Sequence, residues 1–258
     1  MQSSKFSSTS LKKPLLDNLA TLGYQEMTDI QAQSLPLILQ GKDVIGQGKT
    51  GSGKTAAFGL GLLNKLDVKR FRVQSLVLCP TRELADQVAK ELRKLARAIH
   101  NIKILTLCGG MPVGPQIGSL EHGAHIIVGT PGRIEDHLHK GRLNLDNLNM
   151  LILDEADRML EMGFQTSLDT IVGHCPSDRQ TLLFSATFPD KIKAISAKIL
   201  DKPEHVKVTS VHQESTIEQA FYHVDGNDDR LDAVQRLLLA HNPASAVIFC
   251  NTKIAVQE

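Results

Sequence analysis

Short continuous apolar runs, spaced by amphipathic stretches, recur through the middle of the chain. The runs are 43–47, 75–79, 103–107, 125–129, 150–154 and 181–185. Each reads as a strand buried on both faces, because a half-exposed strand would alternate polar and apolar positions. Residues 83–98 lie between two of them and place Leu84, Val88, Leu92 and Leu95 on one face of a helix. Upstream, Pro14 suits a first turn, Leu15, Leu16, Leu19 and Leu22 recur at helical spacing, and Gly23 stops the helix. Thr28 is placed to cap a second helix through Gln31, Ser34, Leu35, Ile38 and Leu39. Alternating strand and helix predicts a doubly wound α/β domain with its site at the carboxyl ends of the strands.

After residue 186 the rhythm changes. A helix is predicted over 190–200 and a short strand over 204–208, followed by a polar, pattern-free linker at 209–216. A new strand, helix and strand are predicted at 217–224, 228–240 and 246–250. The segment 217–258 is too short to bury a core of its own. The chain therefore divides into an N-terminal segment and first helix (1–22), a main domain (23–208), the linker (209–216) and the start of an incomplete second domain (217–258). Residues 1–10, rich in Ser and Thr, are expected to be mobile.

Composition changes this picture only in what it excludes. In 258 residues, 41% hydrophobic and 22% charged content suits a globular core, and a net charge of +1 gives no broad basic field. Any contact with nucleic acid must then be local. Cys79, Cys108, Cys175 and Cys250 lack paired metal-ligand spacing and read as reduced, structural thiols. The ten histidines form no ligand pattern either. No stretch approaches a membrane span and the polar start lacks a signal-peptide core, so the reading is a cytoplasmic protein with no membrane partner.

The chemistry begins at Gly48-Lys49-Thr50-Gly51-Ser52-Gly53-Lys54-Thr55. This is the G-x-x-x-x-G-K-[ST] pattern, in which glycines turn backbone N–H groups onto a phosphate while Lys54 adds a cation and Thr55 a metal-binding hydroxyl. An apolar run precedes it and a helix can start after it, which puts an anion at a helix N-terminus. Asp154-Glu155 follow another apolar run. Two acids opening a helix can simply complement its dipole, but beside a phosphate loop they fit a carboxylate for Mg²⁺ and one for the attacking water. Gln31 reads, on its own, as a surface helix residue. The cluster Lys90, Arg93, Lys94 and Arg97 reads as a solvated helix face.

Taken together and in order, the phosphate loop, Pro80-Thr81-Arg82-Glu83-Leu84-Ala85, Gly109-Gly110, Thr130-Pro131-Gly132-Arg133, Asp154-Glu155-Ala156-Asp157 and Ser185-Ala186-Thr187 resemble the first RecA-like domain of DEAD-box RNA helicases. Residues 247–252 resemble the opening motif of that family's second RecA-like domain. The wording of residues 76–88 and 105–110 is similar to the bacterial DbpA-type helicases, which act on large-subunit ribosomal RNA. Asp29 stands where the family usually has proline, and Gly48 where it usually has alanine.

The resemblance implies ATP and Mg²⁺ as cofactors and RNA as partner. Gln31 would read the adenine edge and Phe6 would pack on the base. Lys54 would contact the β- and γ-phosphates, Thr55 and Asp154 would hold Mg²⁺, and Glu155 would position water. Asp157, Ser185 and Thr187 would couple this site to RNA, whose backbone would pass Arg82, Gly109, Gly110, Thr130, Gly132 and Arg133. The function implied is RNA-stimulated ATP hydrolysis coupled to duplex unwinding, in large-subunit ribosome assembly. The ATP-binding half alone would turn over poorly without a second RecA-like domain, supplied in cis or in trans. A nucleotide- and RNA-binding half-domain serving a partner and an unrelated DNA-dependent ATPase are the alternatives.

Overall fold

A computed structural model describes residues 5–208, 218, 220–224, 226 and 229–257. The chain falls into two units, Met1–Ser210 and Val211–Glu258. In the first, the apolar runs become strands: β1 (Val44–Gln47), β2 (Ser75–Leu78), β3 (Ile104–Leu107), β4 (Ile126–Gly129), β5 (Met150–Leu153), β6 (Gln180–Ser185) and β7 (Glu204–Lys207). They form one sheet in the order β3-β4-β2-β5-β6-β1-β7, and every pairing is parallel. All carboxyl ends therefore open on the same side.

The two faces of the sheet are covered by α1 (Lys13–Thr21), α2 (Asp29–Leu39), α3 (Lys54–Lys65), α4 (Arg82–Leu95), α5 (Val113–Glu121), α6 (Pro131–His139), α7 (Ala156–Glu161), α8 (Gln165–Gly173) and α9 (Asp190–Ile199). Strand alternation sorts the apolar residues between two cores. Val77, Ile152, Leu182 and Phe184 join Leu15, Leu35, Leu60 and Leu92 on one face. Leu76, Leu151 and Leu183 join Ile134, Leu168 and Ile195 on the other. Burial on both sides is why these strands read as unbroken apolar runs. Gly46 in β1 has no room for more: a Cβ there would run into the Phe184 ring.

The amino-terminal expectation needs correction. Residues 1–4 lie outside the described residues, but Phe6–Ser8 form a 3-10 turn. Phe6 is buried, its ring edge-on to Tyr24 with centroids 6.3 Å apart, and its N–H donates to the Gln25 carbonyl. One large apolar side chain with a pocket to fill outweighs the polar composition around it.

In the second unit, α10 (Asp229–His241) and α11 (Lys253–Gln257) are the described elements. The linker expected at 209–216 lies outside the described residues, as does part of the strand expected at 217–224. Residues 220–224 and 246–250 carry no strand, and Val247, Ile248 and Phe249 are exposed. A strand exists only by pairing, and among the described residues this unit holds no strand to pair with.

Candidate active site

Strand order brings the phosphate loop and the acidic turn together. Strand β6 lies between β1, which feeds the loop, and β5, which ends at Leu153 just before Asp154. Gly48 N–H donates to the Ser185 carbonyl at the end of β6 (3.0 Å), and Asp154 N–H to the Leu78 carbonyl of β2 (2.9 Å). The ends of β5, β6 and β1 thus converge on one cleft, with the end of β2 beside them.

The loop then turns into α3 through Gly53, which caps that helix at φ +95°, a conformation that excludes ordinary side chains. Lys54 and Thr55 occupy the first turn. Lys54 is buried, and its ammonium donates to the Gly48 carbonyl across the loop (2.6 Å). Ser52 Oγ is buried without a hydrogen-bond partner inside the same loop. A phosphate group, through its several oxygens, would engage that hydroxyl, the first N–H groups of α3 and the Lys54 ammonium. The residues present therefore fit a nucleotide phosphate. Thr55 and Asp154 supply the hard oxygen donors that Mg²⁺ prefers, with room for phosphate and water oxygens in its remaining positions.

Gln31 is buried rather than on the surface, and its amide is engaged at both ends. Its Oε1 accepts from Thr28 N–H (2.9 Å), closing a capping box on α2, and its Nε2 donates to the Gly53 carbonyl (3.1 Å). Thr28 Oγ1 donates to the Ser52 carbonyl (2.8 Å). The start of α2 is thereby bonded to the phosphate loop. One N–H and one lone pair of the amide remain, the pair needed to read a base edge. Asp29 begins α2 as its first acidic residue, so the helix starts where a proline would also have allowed it. Phe6, by contrast, is enclosed by Tyr24 and the core and shows no open ring face.

At the acidic turn, burial pushes the Asp154 carboxyl up to about 6, against the pull of Lys54 and with the push of Glu155. Glu155 takes a left-handed conformation, φ 52°, and caps α7. Its carboxylate accepts from Thr50 Oγ1 at 3.3 Å, so the loop and the acidic pair touch. Burial would raise the Asp157 carboxyl as well, yet the bonds it receives from Thr187 and the contact with Ser185 hold it below the usual value. Thr187 donates to Asp157 through N–H (2.9 Å) and hydroxyl (2.8 Å), while Asp157 N–H donates to Ser185 Oγ (3.3 Å). These three side chains form one bonded unit on the edge of the cleft.

The remaining predicted residues gather farther along the same edge, after β2, β3 and β4. Thr130 Oγ1 accepts from Gly109 N–H (3.1 Å), and the Arg133 guanidinium donates twice to the Met111 carbonyl (3.1 and 3.2 Å). Arg82 lies beside Gly110 and pairs with Glu83 (2.6 Å). Gly132, in the first turn of α6, has open space where a side chain would be. Behind this group stand two residues that sequence reasoning missed. Gln116 donates to the Cys108 carbonyl (3.2 Å) and faces His137 (3.2 Å). Since the Gln116 N–H₂ is used as a donor, His137 must present Nε2–H to Gln116 Oε1. Its buried Nδ1 then has no partner, and burial, with Arg133 close by, keeps the imidazole pKa low. No local pattern announces such a pair, whereas Thr28 was visible as a helix cap.

The cysteines play no part here: all four are free, and burial pushes Cys79 well above its ordinary value and Cys108 to about 11. The basic face of α4 is exposed, as expected. Arg93 binds the Ile104 carbonyl, and Lys94 lies over Tyr24.

Comparison with known proteins agrees with this geometry. The DEAD/DEAH box helicase family profile matches residues 28–195. The chain is 57% identical over 238 residues to the ATP-dependent RNA helicase DbpA of Escherichia coli (strain K12), covering 92% of this chain and 52% of that protein. It is 44% identical over 253 residues to the DEAD-box ATP-dependent RNA helicase CshA of Geobacillus kaustophilus (strain HTA426), covering 98% of this chain and 54% of the relative. The crystal structure of a DEAD box protein from the hyperthermophile Methanococcus jannaschii superposes with TM-score 0.76 at 39% identity, over 91% of this chain and 63% of that one. The chain spans about half the length of the curated relatives it matches.

Proposed function

The chain belongs to the DEAD/DEAH box helicase family, and from that premise we propose that it is the ATP-binding half of an ATP-dependent RNA helicase. The observation that carries the reading is the bonded path from the phosphate loop through Ser185 to Asp157 and Thr187.

In this reading the loop from Gly48 to Thr55 holds the phosphates of ATP, and Lys54 exchanges its bond to the Gly48 carbonyl for one to phosphate oxygen. Gln31 reads the adenine with the N–H and lone pair that its capping bonds leave over. Mg²⁺, when bound between Thr55 and Asp154, offsets charge on the phosphate oxygens. Asp154 would hold the cation as a carboxylate, despite its burial. Glu155 orients the attacking water and accepts its proton. Arg82, Gly109, Gly110, Thr130, Gly132 and Arg133 take the RNA backbone, through exposed main chain and two guanidiniums rather than a basic stripe. That solution suits a chain of net charge +1. Phe6 meets a base only if its contact with Tyr24 opens.

The resemblance to DbpA supports large-subunit ribosomal RNA as the substrate class and ribosome assembly in the cytoplasm as the setting. Residues 217–258 are read as the start of a second RecA-like domain. The rest of that domain, in cis or in trans, would supply the arginine that is worth about 10³–10⁵ in rate in other phosphoryl-transfer enzymes. The test is ATP turnover by residues 1–258 with and without RNA, alongside nucleotide binding. Tight nucleotide binding with poor turnover, rescued by a separately expressed second domain, is expected. Full RNA-stimulated turnover by this chain alone would refute the half-site reading.

A further inference from the structure

At the opposite end of the sheet, where β2, β4 and β5 begin, a cleft of about 550 Å³ opens between Phe71, Arg72, His122, Arg142, Asn144 and Asn147. That size lies within the roughly 300–1,000 Å³ typical of small-ligand sites. Phe71 is exposed yet held in place. Its ring stands edge-on to His125 with centroids 4.6 Å apart and rests on Gly123, where a Cβ would fall 2.7 Å from the ring. Arg142 turns one guanidinium nitrogen, Nη1, into a buried position with no hydrogen-bond partner. Arg142 itself lines the cleft, and a guanidinium there is a ready partner for an anionic oxygen.

The loop that forms one wall reads Lys69-Arg70-Phe71-Arg72, an aromatic set among cations, and all four side chains are exposed. Arg70 is tied to Asp67 (3.5 Å), which leaves Lys69 and Arg72 to face outward. Glu121 is the one carboxylate among the lining residues. A fixed aromatic face for any base, beside cations for the backbone, is the chemistry of single-stranded nucleic-acid binding. The core of a protein interface is depleted in charge, whereas two arginines line this cleft.

We propose that this cleft is a second RNA contact, which seats one unpaired nucleotide with its base on Phe71 and its phosphate on Arg72 and Arg142. The inference rests on the reading of the chain as RNA-binding. The strands alone separate the two sites by roughly 13 Å. An RNA chain would therefore reach both only by running around the flank of the domain, so the cleft grips sequence beyond the segment being unwound.

The test is photocrosslinking of residues 1–258 to a thiouridine-containing single-stranded RNA with a non-hydrolysable ATP analogue, followed by peptide mapping. Adducts are expected on the peptide containing Phe71 as well as on the peptide containing Arg133. Phe71→Leu, and separately Arg72→Ala, should lower the first adduct at least about 5-fold while leaving the second, which also reports that each variant is folded. Adducts at Arg133 with none at Phe71 would overturn the second contact and leave the RNA reading intact. Displacement of the Phe71 adduct by poly-glutamate at equal charge would overturn it too, by reducing the cleft to a nonspecific cationic patch. Absence of adducts anywhere would overturn both readings.

Discussion

Single side chains carry the connections within the site. Lys54→Ala removes the buried ammonium of the phosphate loop, and ATP affinity should fall more than about 10-fold with little change in thermal stability, as measured by calorimetric titration and melting. Gln31→Ala acts differently, because Gln31 both closes the cap of α2 and holds the Gly53 carbonyl. It should cost about 1–2 kcal/mol in denaturant unfolding and weaken nucleotide binding in the same variant. Asp157 offers a pH signature. Its carboxyl is held below the usual value, so the stability it contributes is present above the ordinary carboxylate range and is lost as pH falls through the depressed value. The urea midpoint of Asp157→Asn should therefore lie below that of the unchanged protein at pH near 7 and approach it at pH near 3. Equal gaps at both values would show that the ionised form is not what Ser185 and Thr187 favour.

At the scale of elements, packing and polar anchoring set different tolerances. Gly46→Ala drives a methyl into Phe184 between β1 and β6 and should destabilise by about 1–3 kcal/mol or more, with the phosphate loop displaced at the same time. His137→Leu leaves Gln116 Oε1 without its donor. Expected results are a stability loss of about 1–3 kcal/mol and weaker RNA binding with nucleotide affinity unchanged, since α5 and α6 carry the Gly109 side of the cleft and not the loop. The strands were legible because double burial leaves an apolar run that nothing else explains, and the phosphate loop because its spacing is chemical rather than merely structural. Gln116 and His137 were not, since their partners lie 8 and 21 residues away along the chain and only the tertiary fold makes them neighbours. The mobility expected of the first ten residues fails at Phe6 because composition averages over a segment while a pocket selects one ring. The run at 246–250 has the apolar character of a strand, and composition cannot say whether an edge exists to receive it.

For the molecule as a whole, the two units differ in kind. The first has two cores on either side of a seven-stranded sheet, whereas α10 of the second buries none of its side chains. The middle strand of the cleft has a practical consequence. Ser185 receives the loop through its carbonyl and the acidic turn through its hydroxyl, so a single isotope label there reports on two neighbours at once. Carbonyl and side-chain resonances that respond in step to nucleotide would identify a rigid lever. Independent responses would identify a clutch, able to engage the phosphates while the other edge stays idle.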